Sequence, residues 1–328
     1  MLYIQNDQTD PYFNLALEEY VFHQMSRAQK YLWLWRNDHT IVVGKHQNTQ
    51  DEIRQDYVEE SGIRVVRRLT GGGAVYHDLG NINFTFIDDW DPEKPFDFSF
   101  FIRQIIAVLK RFGVHAQQSS RNDICVDGKK FSGNAQLIAN GRILHHGTLL
   151  FRSNLSVISQ ALTPNKQKTV PSGTASVQSA VTNLSNYLPD STDTAAFLAM
   201  LKQGLRQGEG WEEYSLSPKD IHCVRELRRT KYSTERWNYG HSPQYNRKNT
   251  VKISGGMVSA YLQIHQDILK SVRFFGDFFG SGELSDLEQK LLNIPLQRNT
   301  ILSALADTDV GHYIHSWTAE GLADCLLS

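Results

Sequence analysis

The chain has 328 residues, of which 40% are hydrophobic and 21% are charged, a composition typical of one large or two unequal globular domains. Its formal net charge of -1 provides no basic surplus, which argues against nucleic acid as a main partner. Three widely separated cysteines favour a reducing compartment, and no apolar run reaches the roughly 18 residues of a membrane helix, so we expect a cytoplasmic protein that binds neither nucleic acid nor a membrane.

The first predicted element is a helix that begins at Asp10-Pro11, where an N-cap residue is followed by proline in the first turn. Apolar residues recur at three- and four-residue spacing after this start, which is typical of a helix with one buried face. On that pattern, Glu18 and Glu19 are expected to point away from the core. The same spacing predicts a second amphipathic helix over residues 98–112.

Short aromatic and β-branched runs predict strands over residues 31–36, 40–45, 63–69 and 81–86. The last run alternates, so its polar residues Asn81, Asn83 and Thr85 share one face. Further on, Asp127-Gly128 and Asn140-Gly141 are dipeptides favoured in two-residue type I′ turns, and each predicts a hairpin. Helices combined with hairpins predict an α/β protein of the α+β type, built on a mixed sheet.

The second half of the chain divides at a polar stretch. Residues 163–183 are rich in Pro, Ser, Thr and Lys and predict a loop, and a helix is expected within 189–210. The polar stretch 240–249 is the expected boundary between a large domain over 1–245 and a small accessory domain over 250–328. The small domain is expected to hold a hairpin followed by three helices.

The most informative motif runs from Arg67 to His77, where Arg67-Arg68-Leu69-Thr70 leads into Gly71-Gly72-Gly73. Glycines let a ligand approach bare backbone N–H groups, and successive N–H groups form a nest for anions. Neighbouring arginines would add forked, charged donors. The motif therefore predicts a phosphate or carboxylate site, with a hairpin turn carrying two solvated arginines as the alternative.

A second group of candidates lies near the hairpins. Lys129 and Lys130 must point to opposite faces of their strand, with Lys130 on the side of Ser132, so only one can enter a given pocket. Asn122-Asp123 offers an amide and a carboxylate for a hydroxyl or a hard cation, or forms a simple turn. Cys125 lies in an apolar run and is interpreted as a buried structural cysteine rather than a nucleophile. No P-loop motif occurs in the sequence.

Several blocks in this order resemble the lipoate–protein ligase family, and the resemblance spans nearly the whole chain. The blocks are Asn14-Leu15-Ala16-Leu17-Glu18-Glu19, the stretch 67–77, Asn122-Asp123, Lys130-Phe131-Ser132-Gly133-Asn134-Ala135, His146-Gly147-Thr148 and Val181-Thr182-Asn183. The resemblance implies a catalytic domain with the biotin/lipoyl ligase fold and a small accessory domain. It also implies two steps, in which lipoate and ATP form lipoyl-AMP and an acceptor lysine then takes the lipoyl group.

The resemblance also implies roles for individual residues and for cofactors. Lys130 corresponds to the active-site lysine, which neutralises charge on the α-phosphate and on the acyl oxygen. Asp123 is the expected carboxylate on the Mg²⁺ side, and lipoic acid and ATP are the expected substrates. The residues expected to bind ATP and lipoyl-AMP are Arg68, Gly71, Gly72, Gly73, Ala74, Val75, Tyr76, His77, Asn83, Asn122, Ser132, Gly133, His146, Gly147 and Thr148. Leu17, Val43 and Val75 are candidate walls for the lipoyl chain.

The expected protein partners are lipoyl domains of 2-oxoacid dehydrogenase E2 subunits or the glycine cleavage H protein, and the chain is expected to be a monomer. The choice between these acceptors, and between lipoate and octanoate, stays open. One departure from the family pattern occurs at Gln178 and Ala180, where relatives commonly carry arginine. Lys166 and Lys168 are candidates to replace those cations.

Two rival functions are compatible with the same motifs. The first is an ATP-independent octanoyl- or lipoyl-transferase on the same fold, which would use a thiol nucleophile or an acyl carrier. The second is a lipoate-binding protein without catalysis. The accessory unit and the lack of a pocket-like setting for any of the three cysteines favour the ligase over the transferase. Retention of Lys130, Asp123 and the glycine block favours it over the binding protein.

Overall fold

The structure is a computed structural model, and it describes residues 1–91, 97–119, 122–162, 181–240 and 242–328. The predicted loop over 163–183 falls mainly outside the described residues, as do Lys166, Lys168, Gln178 and Ala180. The expectations attached to those four residues therefore stay predictions.

The strands are β1 (Leu2–Gln5), β2 (Tyr31–Trp35), β3 (Thr40–Val43), β4 (Arg64–Arg67), β5 (Val75–His77), β6 (Asn81–Asp89), β7 (Gln117–Gln118), β8 (Ile124–Val126), β9 (Lys129–Ser132), β10 (Asn134–Ala139), β11 (Arg142–Leu150), β12 (Glu212–Ser215), β13 (Arg247–Ile253), β14 (Gly256–His265), β15 (Ile268–Gly276) and β16 (Ile294–Pro295). The helices are α1 (Pro11–Gln24), α2 (Thr49–Glu52), α3 (Gln55–Glu60), α4 (Ser99–Arg111), α5 (Leu155–Ala161), α6 (Thr194–Glu209), α7 (Pro218–Leu227), α8 (Glu235–Asn238), α9 (Leu284–Lys290), α10 (Arg298–Ala304), α11 (Val310–Tyr313) and α12 (Ala319–Leu327). None of the described helices is long and apolar enough to span a bilayer.

Within the described residues, the large unit is centred on a six-stranded mixed sheet of order β10-β11-β6-β2-β1-β12. The pairs of β1 with β2 and with β12 are parallel, and the others are antiparallel. One face packs on α4 and α6, where Leu34 and Phe84 join a large apolar cluster. The opposite face packs on α1 and α7 through Trp33 and Val224. The expected mixed-sheet fold is therefore confirmed.

Both predicted hairpins are present, and each turn has the backbone that a type I′ turn needs. Asp127 joins β8 to β9 with φ of 49°, and Asn140 joins β10 to β11 with φ of 53°. The glycine that follows each of them also has positive φ. The first hairpin forms a small sheet, β7-β8-β9, and its second arm carries Lys130.

A separate three-stranded sheet, β4-β3-β5, lies beside α1 and delivers the glycine-rich loop between β4 and β5. Val42 and Val66 of this sheet face the α1 core. Val43 and Val65 face the other way, towards α5. Successive strand residues alternate in this manner because the backbone is pleated.

Helix α1 begins as predicted, since the side chain of Asp10 accepts a hydrogen bond from the Tyr12 amide and Pro11 follows it. The prediction that Glu18 points away from the core is wrong. Glu18 is 2% exposed, whereas Glu19 is half-buried. Spacing along the helix could not reveal this, because α1 is covered on the Glu18 side by polar residues of β6 and β11.

The C-terminal residues form an antiparallel sheet, β13-β14-β15-β16, packed on α9, α10 and α12. This accessory unit contacts the large unit close to the glycine loop. The His46 ring stacks on Phe278 with centroids 4.9 Å apart, and the Gly276 amide donates to the His46 carbonyl at 2.9 Å. An ion pair of 3.1 Å joins Lys248 to Asp51. The predicted boundaries at 245 and 250 stay a prediction.

Candidate active site

A polar patch lies on the face of the six-stranded sheet that packs towards α1. Asn83 and Thr85 of β6 are opposite Thr148 and His146 of β11, and Trp35 of β2 is opposite Asn83. Because alternate residues of a strand share a face, these five side chains point to the same side. All of them except the half-exposed Thr148 are buried. The predicted shared face of β6 is therefore confirmed, and it is an internal polar surface.

The glycine loop is held from beneath by Arg68. The guanidinium donates through Nη2 to the carbonyl oxygens of Gly71 and Gly73 at 2.6 and 2.9 Å, and through Nε to Oγ1 of Thr70 at 3.0 Å. Arg68 is 6% exposed, and burial lowers its pKa to about 10, so it stays charged at neutral pH. The positive charge of Arg68 therefore lies in the protein interior, directly beneath the glycine loop.

Arg67 is internal as well, and it joins the end of β3 to α2. Its Nη1 atom donates to the carbonyl oxygens of Gly44 and Gln47 at 2.9 and 2.7 Å, and Nη2 donates to Thr49 at 2.7 Å. The alternative of a turn with two solvated arginines is therefore wrong. Direct binding of an anion by Arg68 stays a prediction, since carbonyl oxygens of the protein already accept from it.

These contacts orient the peptide planes of the loop. The carbonyl of Thr70 accepts from the Lys45 amide at 2.8 Å, and those of Gly71 and Gly73 accept from Arg68. In a trans peptide, the N–H of the next residue points opposite to the carbonyl, and no described peptide is cis. The amides of Gly72 and Ala74 therefore point away from the buried guanidinium. The loop therefore presents two N–H donors on the side that faces away from Arg68, which suits an anion.

Lys130 occupies the other end of the patch. Its Nζ lies 2.8 Å from Oδ1 of Asp123, and the side chains are 33% and 17% exposed. The side chain of Lys130 extends beside Gly133, whose amide is fixed by a 3.1 Å hydrogen bond to Oγ1 of Thr148. The Thr182 amide donates to the Lys130 carbonyl at 2.9 Å. Thr148 therefore connects the lysine to the polar patch.

His77 and Asn83 supply buried polar atoms that have no partner in the described part of the chain. Nδ1 of His77 is 3.2 Å from the amide nitrogen of Asn37, and its Nε2 is unpaired. Asn83 accepts from Asn81 at 2.9 Å, which leaves its own amide nitrogen unpaired. Burial lowers the pKa of His77 to about 3, with a smaller effect of the Arg68 charge, so the ring is neutral.

His146 connects the patch to the glycine loop. Its Nε2 is 2.8 Å from Oγ1 of Thr70, and its Nδ1 is 3.0 Å from Oε1 of Glu18. The same carboxylate oxygen accepts from Thr85 at 2.6 Å. The histidine therefore lies between a buried carboxylate and the residue that precedes the three glycines.

The other loop candidates point to two different sides of the small sheet. Val75 packs in the same apolar cluster as Leu17, whereas Ala74 and Tyr76 pack on the α5 side. Val43 also lies on the α5 side, so it is wrong as a shared wall with Leu17 and Val75. The side chains of Ala74 and Tyr76 therefore face away from the α1 side, and binding by their backbone amides stays a prediction.

Asn122, Ser132 and Gly147 surround the side chain of Asn134. Its amide nitrogen donates to the Asn122 carbonyl at 2.8 Å and to Oγ of Ser132 at 3.4 Å. A Cβ atom on Gly147 would lie 2.4 Å from the Asn134 oxygen. These three predicted residues therefore lie together beside Lys130, around the side chain of Asn134.

Asp123 fits a magnesium site only as a single protein ligand. No group of three or more His, Cys, Asp or Glu side chains suited to a metal is found among the described residues. Mg²⁺ commonly uses one or two carboxylates and takes its other ligands from phosphate oxygens and water. The partly exposed Asp123 suits that donor set, and its role stays a prediction.

Sequence reasoning missed Glu18, Thr70 and Asn37 as parts of the site. Each is at most 2% exposed and each contacts a predicted site histidine or its partner. The signal for Glu18 was an acidic residue inside the block Asn14–Glu19. The buried position of Glu18 depends on strands that lie more than 60 residues away in the chain.

A two-sided mixed sheet, a glycine loop backed by an arginine, and a lysine across the sheet define the large unit as a ligase domain of the biotin/lipoyl type. Residues 10–206 match the family model of the lipoyl protein ligase A/B catalytic domain, and residues 242–326 match that of the bacterial lipoate protein ligase C-terminus. The chain is 39% identical to lipoate-protein ligase LplJ of Bacillus subtilis, covering 99% of this chain and 100% of that protein. It is 38% identical to lipoate–protein ligase 1 of Staphylococcus aureus, covering 95% and 96%. The chain belongs to the lipoate–protein ligase family.

Solved structures agree with this assignment. Plasmodium falciparum LipL1 in complex with lipoate has a TM-score of 0.75 at 22% identity and covers 94% of both chains, which supports the fold. A lipoate-protein ligase A bound with ATP has a TM-score of 0.62 at 26% identity, covering 73% of this chain and 98% of that one. The expected enzyme class, ATP-dependent ligation of lipoate to protein, is thereby confirmed.

Proposed function

We propose that this chain forms lipoyl-AMP between its glycine loop and Lys130, and then transfers the lipoyl group to a lysine of a lipoyl domain. The observation that supports this placement best is the continuous polar surface from Lys130 through Thr148 to His146 and the glycine loop. One end carries a cation on a partly exposed strand. The other end carries the amides of Gly72 and Ala74, which point away from the buried guanidinium of Arg68.

Lys130 suits both steps as an electrostatic group. In the first step the lipoate carboxylate forms a bond to the α-phosphorus of ATP and pyrophosphate leaves. In the second step the acceptor amine forms an amide bond and AMP leaves. Negative charge grows on phosphate oxygens and then on the acyl oxygen, and a preorganised ammonium stabilises both. Asp123 holds the lysine in place at 2.8 Å without burying it fully.

The glycine loop suits the phosphate or the lipoate carboxylate. The outward amides of Gly72 and Ala74 would donate to anionic oxygens, while Arg68 raises the local positive potential from beneath. The orphan donors on His77 and Asn83 would contact the same ligand. Mg²⁺, when bound next to Asp123, would supply positive charge to the phosphates of ATP.

The proposed acceptors are lipoyl domains of 2-oxoacid dehydrogenase E2 subunits or the glycine cleavage H protein. Support comes from a bipartite ligase of Thermoplasma acidophilum, studied together with its E2 lipoyl domain, which has a TM-score of 0.65 and 26% identity over 75% of this chain and 98% of that one. We propose that the ligase acts as a monomer.

The cysteines do not favour a thiol-dependent transferase. Nucleophilic attack needs a thiolate, whose formation burial opposes. Cys125 is half-buried rather than buried, and burial, with a smaller effect of Asp123, raises its pKa. Cys325 is buried in the accessory unit, and burial raises its pKa to about 11.

Pyrophosphate release tests the proposal. The protein is mixed with ATP and Mg²⁺, with and without lipoate, in the absence of an acceptor. We expect a lipoate-dependent burst of about one equivalent per enzyme, because the adenylate is held until an acceptor arrives. Lys130→Ala is expected to lower the rate about 10²–10³-fold, the usual cost of losing one preorganised electrostatic contact.

Lys129→Ala is the matched control, because Lys129 is the exposed neighbour on the same strand. The control should keep the burst. A Lys130→Ala protein with near-normal pyrophosphate release would remove Lys130 from the site. Lipoate binding without any release by the unmodified protein would contradict the adenylation step itself.

A further inference from the structure

Two buried residues of α1 contact the two site histidines through separate hydrogen-bond chains. Asn14 and Glu18 are one helical turn apart, so they share a face of α1. They are 0% and 2% exposed. Asn14 reaches His77 through Asn37, and Glu18 contacts His146 directly.

The direction of the first chain follows from fixed acceptors. The amide nitrogen of Asn14 donates to the backbone carbonyls of Gln8 and Arg36 at 3.0 and 2.9 Å, and a carbonyl can only accept. The Asn37 atom 2.9 Å from this nitrogen is Oδ1, because an amide nitrogen there would face another donor, and the two hydrogens of the Asn14 amide are shared among these three acceptors. This leaves the Asn37 nitrogen to donate to Nδ1 of His77 at 3.2 Å.

A neutral imidazole that accepts at Nδ1 carries its hydrogen on Nε2. Nε2 of His77 is the buried atom without a partner in the described part of the chain. His77 therefore presents an N–H donor, and the unpaired amide nitrogen of Asn83 is a second donor on a buried side chain. Two buried donors without acceptors indicate a site that a ligand oxygen completes.

The direction of the second chain is set by groups that can only donate and by the Glu18 carboxylate, which can only accept. The indole N–H of Trp35 donates to Oγ1 of Thr85 at 2.8 Å, so the threonine hydrogen goes to Oε1 of Glu18 at 2.6 Å. At the other end, Nε of Arg68 donates to Oγ1 of Thr70. The Glu18 carboxylate next to Nδ1 of His146 can only accept, so the hydrogen of the neutral ring is on Nδ1, and Nε2 accepts from Oγ1 of Thr70 at 2.8 Å.

His146 is therefore an acceptor at Nε2 and a donor at Nδ1, where the Glu18 oxygens lie 3.0 and 3.1 Å away. This is the opposite tautomer to that of His77. The Thr70 hydroxyl is thereby held in one orientation against Arg68, whose Nη2 fixes the carbonyls of Gly71 and Gly73. The chain from Glu18 thus ends at the glycine loop.

We propose that Asn14 and Glu18 are positioning residues of the ligase, which set His77 as an Nε2–H donor and His146 as an Nδ1–H tautomer supporting the loop through Thr70. The proposal rests on the proposed function, because the ligand that these groups orient is lipoate or its adenylate. It assigns a role to the block Asn14–Glu19, which composition and spacing alone left without one.

The direct test is the position of the ring hydrogens. In full-length protein labelled with ¹⁵N at histidine, long-range proton–nitrogen correlation identifies the protonated nitrogen of each ring. His77→Gln and His146→Gln assign the signals. We expect the Nε2–H form for His77 and the Nδ1–H form for His146, and the reverse assignment at either ring would overturn the proposal.

Variants of similar size test whether these hydrogen-bond partners set the tautomers of His77 and His146. Asn37→Asp cannot donate to Nδ1, so the hydrogen of His77 should move to Nδ1. Glu18→Met removes the acceptor of His146, whereas Glu18→Gln retains one oxygen and should restore the Nδ1–H form. Glu19→Gln is the control on the same helix, since it removes the charge that pairs with Lys231 while Glu19 contacts neither chain.

Kinetics separates positioning from a merely structural role. Loss of the partner that orients a metal-bound histidine commonly costs about 10–100-fold in activity, and we take the same range for these two oriented histidines. We expect kcat for pyrophosphate release to fall by that factor in Asn37→Asp and Glu18→Met, and to recover in Glu18→Gln. A kcat that merely follows thermal stability, as in Glu19→Gln, would contradict the proposal. Unmodified protein without lipoate-dependent release would instead contradict the proposed function, whatever the tautomers are.

Discussion

The Nζ atom of Lys130 lies 2.8 Å from Oδ1 of Asp123, and this ion pair passes over Gly133, a residue without a side chain. A Cβ atom built on Gly133 would be 3.3 Å from Nζ and 3.5 Å from Cε of the lysine. Gly133 does not have the positive φ that would require glycine for backbone reasons. The absence of a side chain at Gly133 therefore leaves room for the side chain of Lys130.

Gly133→Ala is expected to displace Lys130 while the fold is retained, because the added methyl contacts the flexible end of a side chain rather than backbone. The rate of lipoate-dependent pyrophosphate release should fall at least about tenfold, since small displacements of an electrostatic group weaken its effect strongly. Stopped-flow measurement of the burst, together with the thermal midpoint, checks this prediction.

Gly208→Ala is the control for that variant. Gly208 lies in α6 with no atom within 4 Å of its added Cβ, so alanine should stabilise the helix by about 0.5–1 kcal/mol. Its burst should be unchanged. A Gly133→Ala protein with the same burst as Gly208→Ala would show that the lysine does not need the space.

Gly71 contacts the accessory unit so closely that any side chain would collide with it. A Cβ atom on Gly71 would lie 2.1 Å from the carbonyl oxygen of Phe278, which is backbone and cannot move alone. Gly71→Ala should therefore push the accessory unit away from the glycine loop at a cost of about 1–3 kcal/mol, as for overpacking elsewhere. Small-angle X-ray scattering should show a larger radius of gyration and a longer maximum dimension.

Gly73→Ala is the matched variant in the same loop, because its Cβ would have no atom within 4 Å and its φ is not positive. Its scattering curve should match that of the unmodified protein. Equal curves for Gly71→Ala and Gly73→Ala would mean that the Phe278 contact does not hold the unit in place.

Asp220 links α7 to α1 and β12, and its pKa makes this contact sensitive to acid. Burial alone would raise the pKa, but hydrogen bonds from Tyr20, Ser217 and Tyr214 outweigh it and lower the pKa to about 2. A lowered folded-state pKa means that the ionised carboxylate stabilises the fold above about pH 4. That stabilisation is lost as the pH falls towards 2.

Asp220→Asn should therefore be less stable than the unmodified protein by roughly 2 kcal/mol at pH 6, because one pKa unit corresponds to about 1.4 kcal/mol. The difference should shrink steadily between pH 4 and pH 2. Urea unfolding of both proteins at a series of pH values measures it. A difference that does not depend on pH would show that the carboxylate contributes through packing alone.

Cys125→Ser distinguishes the ligase from a thiol-dependent transferase. Cys125 is the register partner of Lys130 across the hairpin, so it is the cysteine nearest the site, yet its raised pKa disfavours a thiolate. We expect the serine variant to keep full lipoate-dependent pyrophosphate release and full transfer to an apo lipoyl domain. Loss of transfer with release intact would revive the thiol mechanism.

Local signals in the sequence were sufficient for the elements that depend on neighbouring residues. The N-cap at Asp10, the hairpin turns at Asp127 and Asn140 and the buried face of α4 are all present as predicted. Each depends on backbone angles or on spacing within one element, and such features do not require knowledge of the partner. The paired glycine and lysine motifs likewise identified the family and its chemistry.

The tertiary structure alone decided where the charged residues of those motifs point. Glu18 was expected in solvent but lies in the interior, and Arg68 binds loop carbonyls rather than facing solvent. Val43 was grouped with Leu17 but packs on the opposite side of its sheet. In each case the outcome depends on which distant strand covers the residue. A buried charge is stable only where partners satisfy it, and those partners are brought together by the fold.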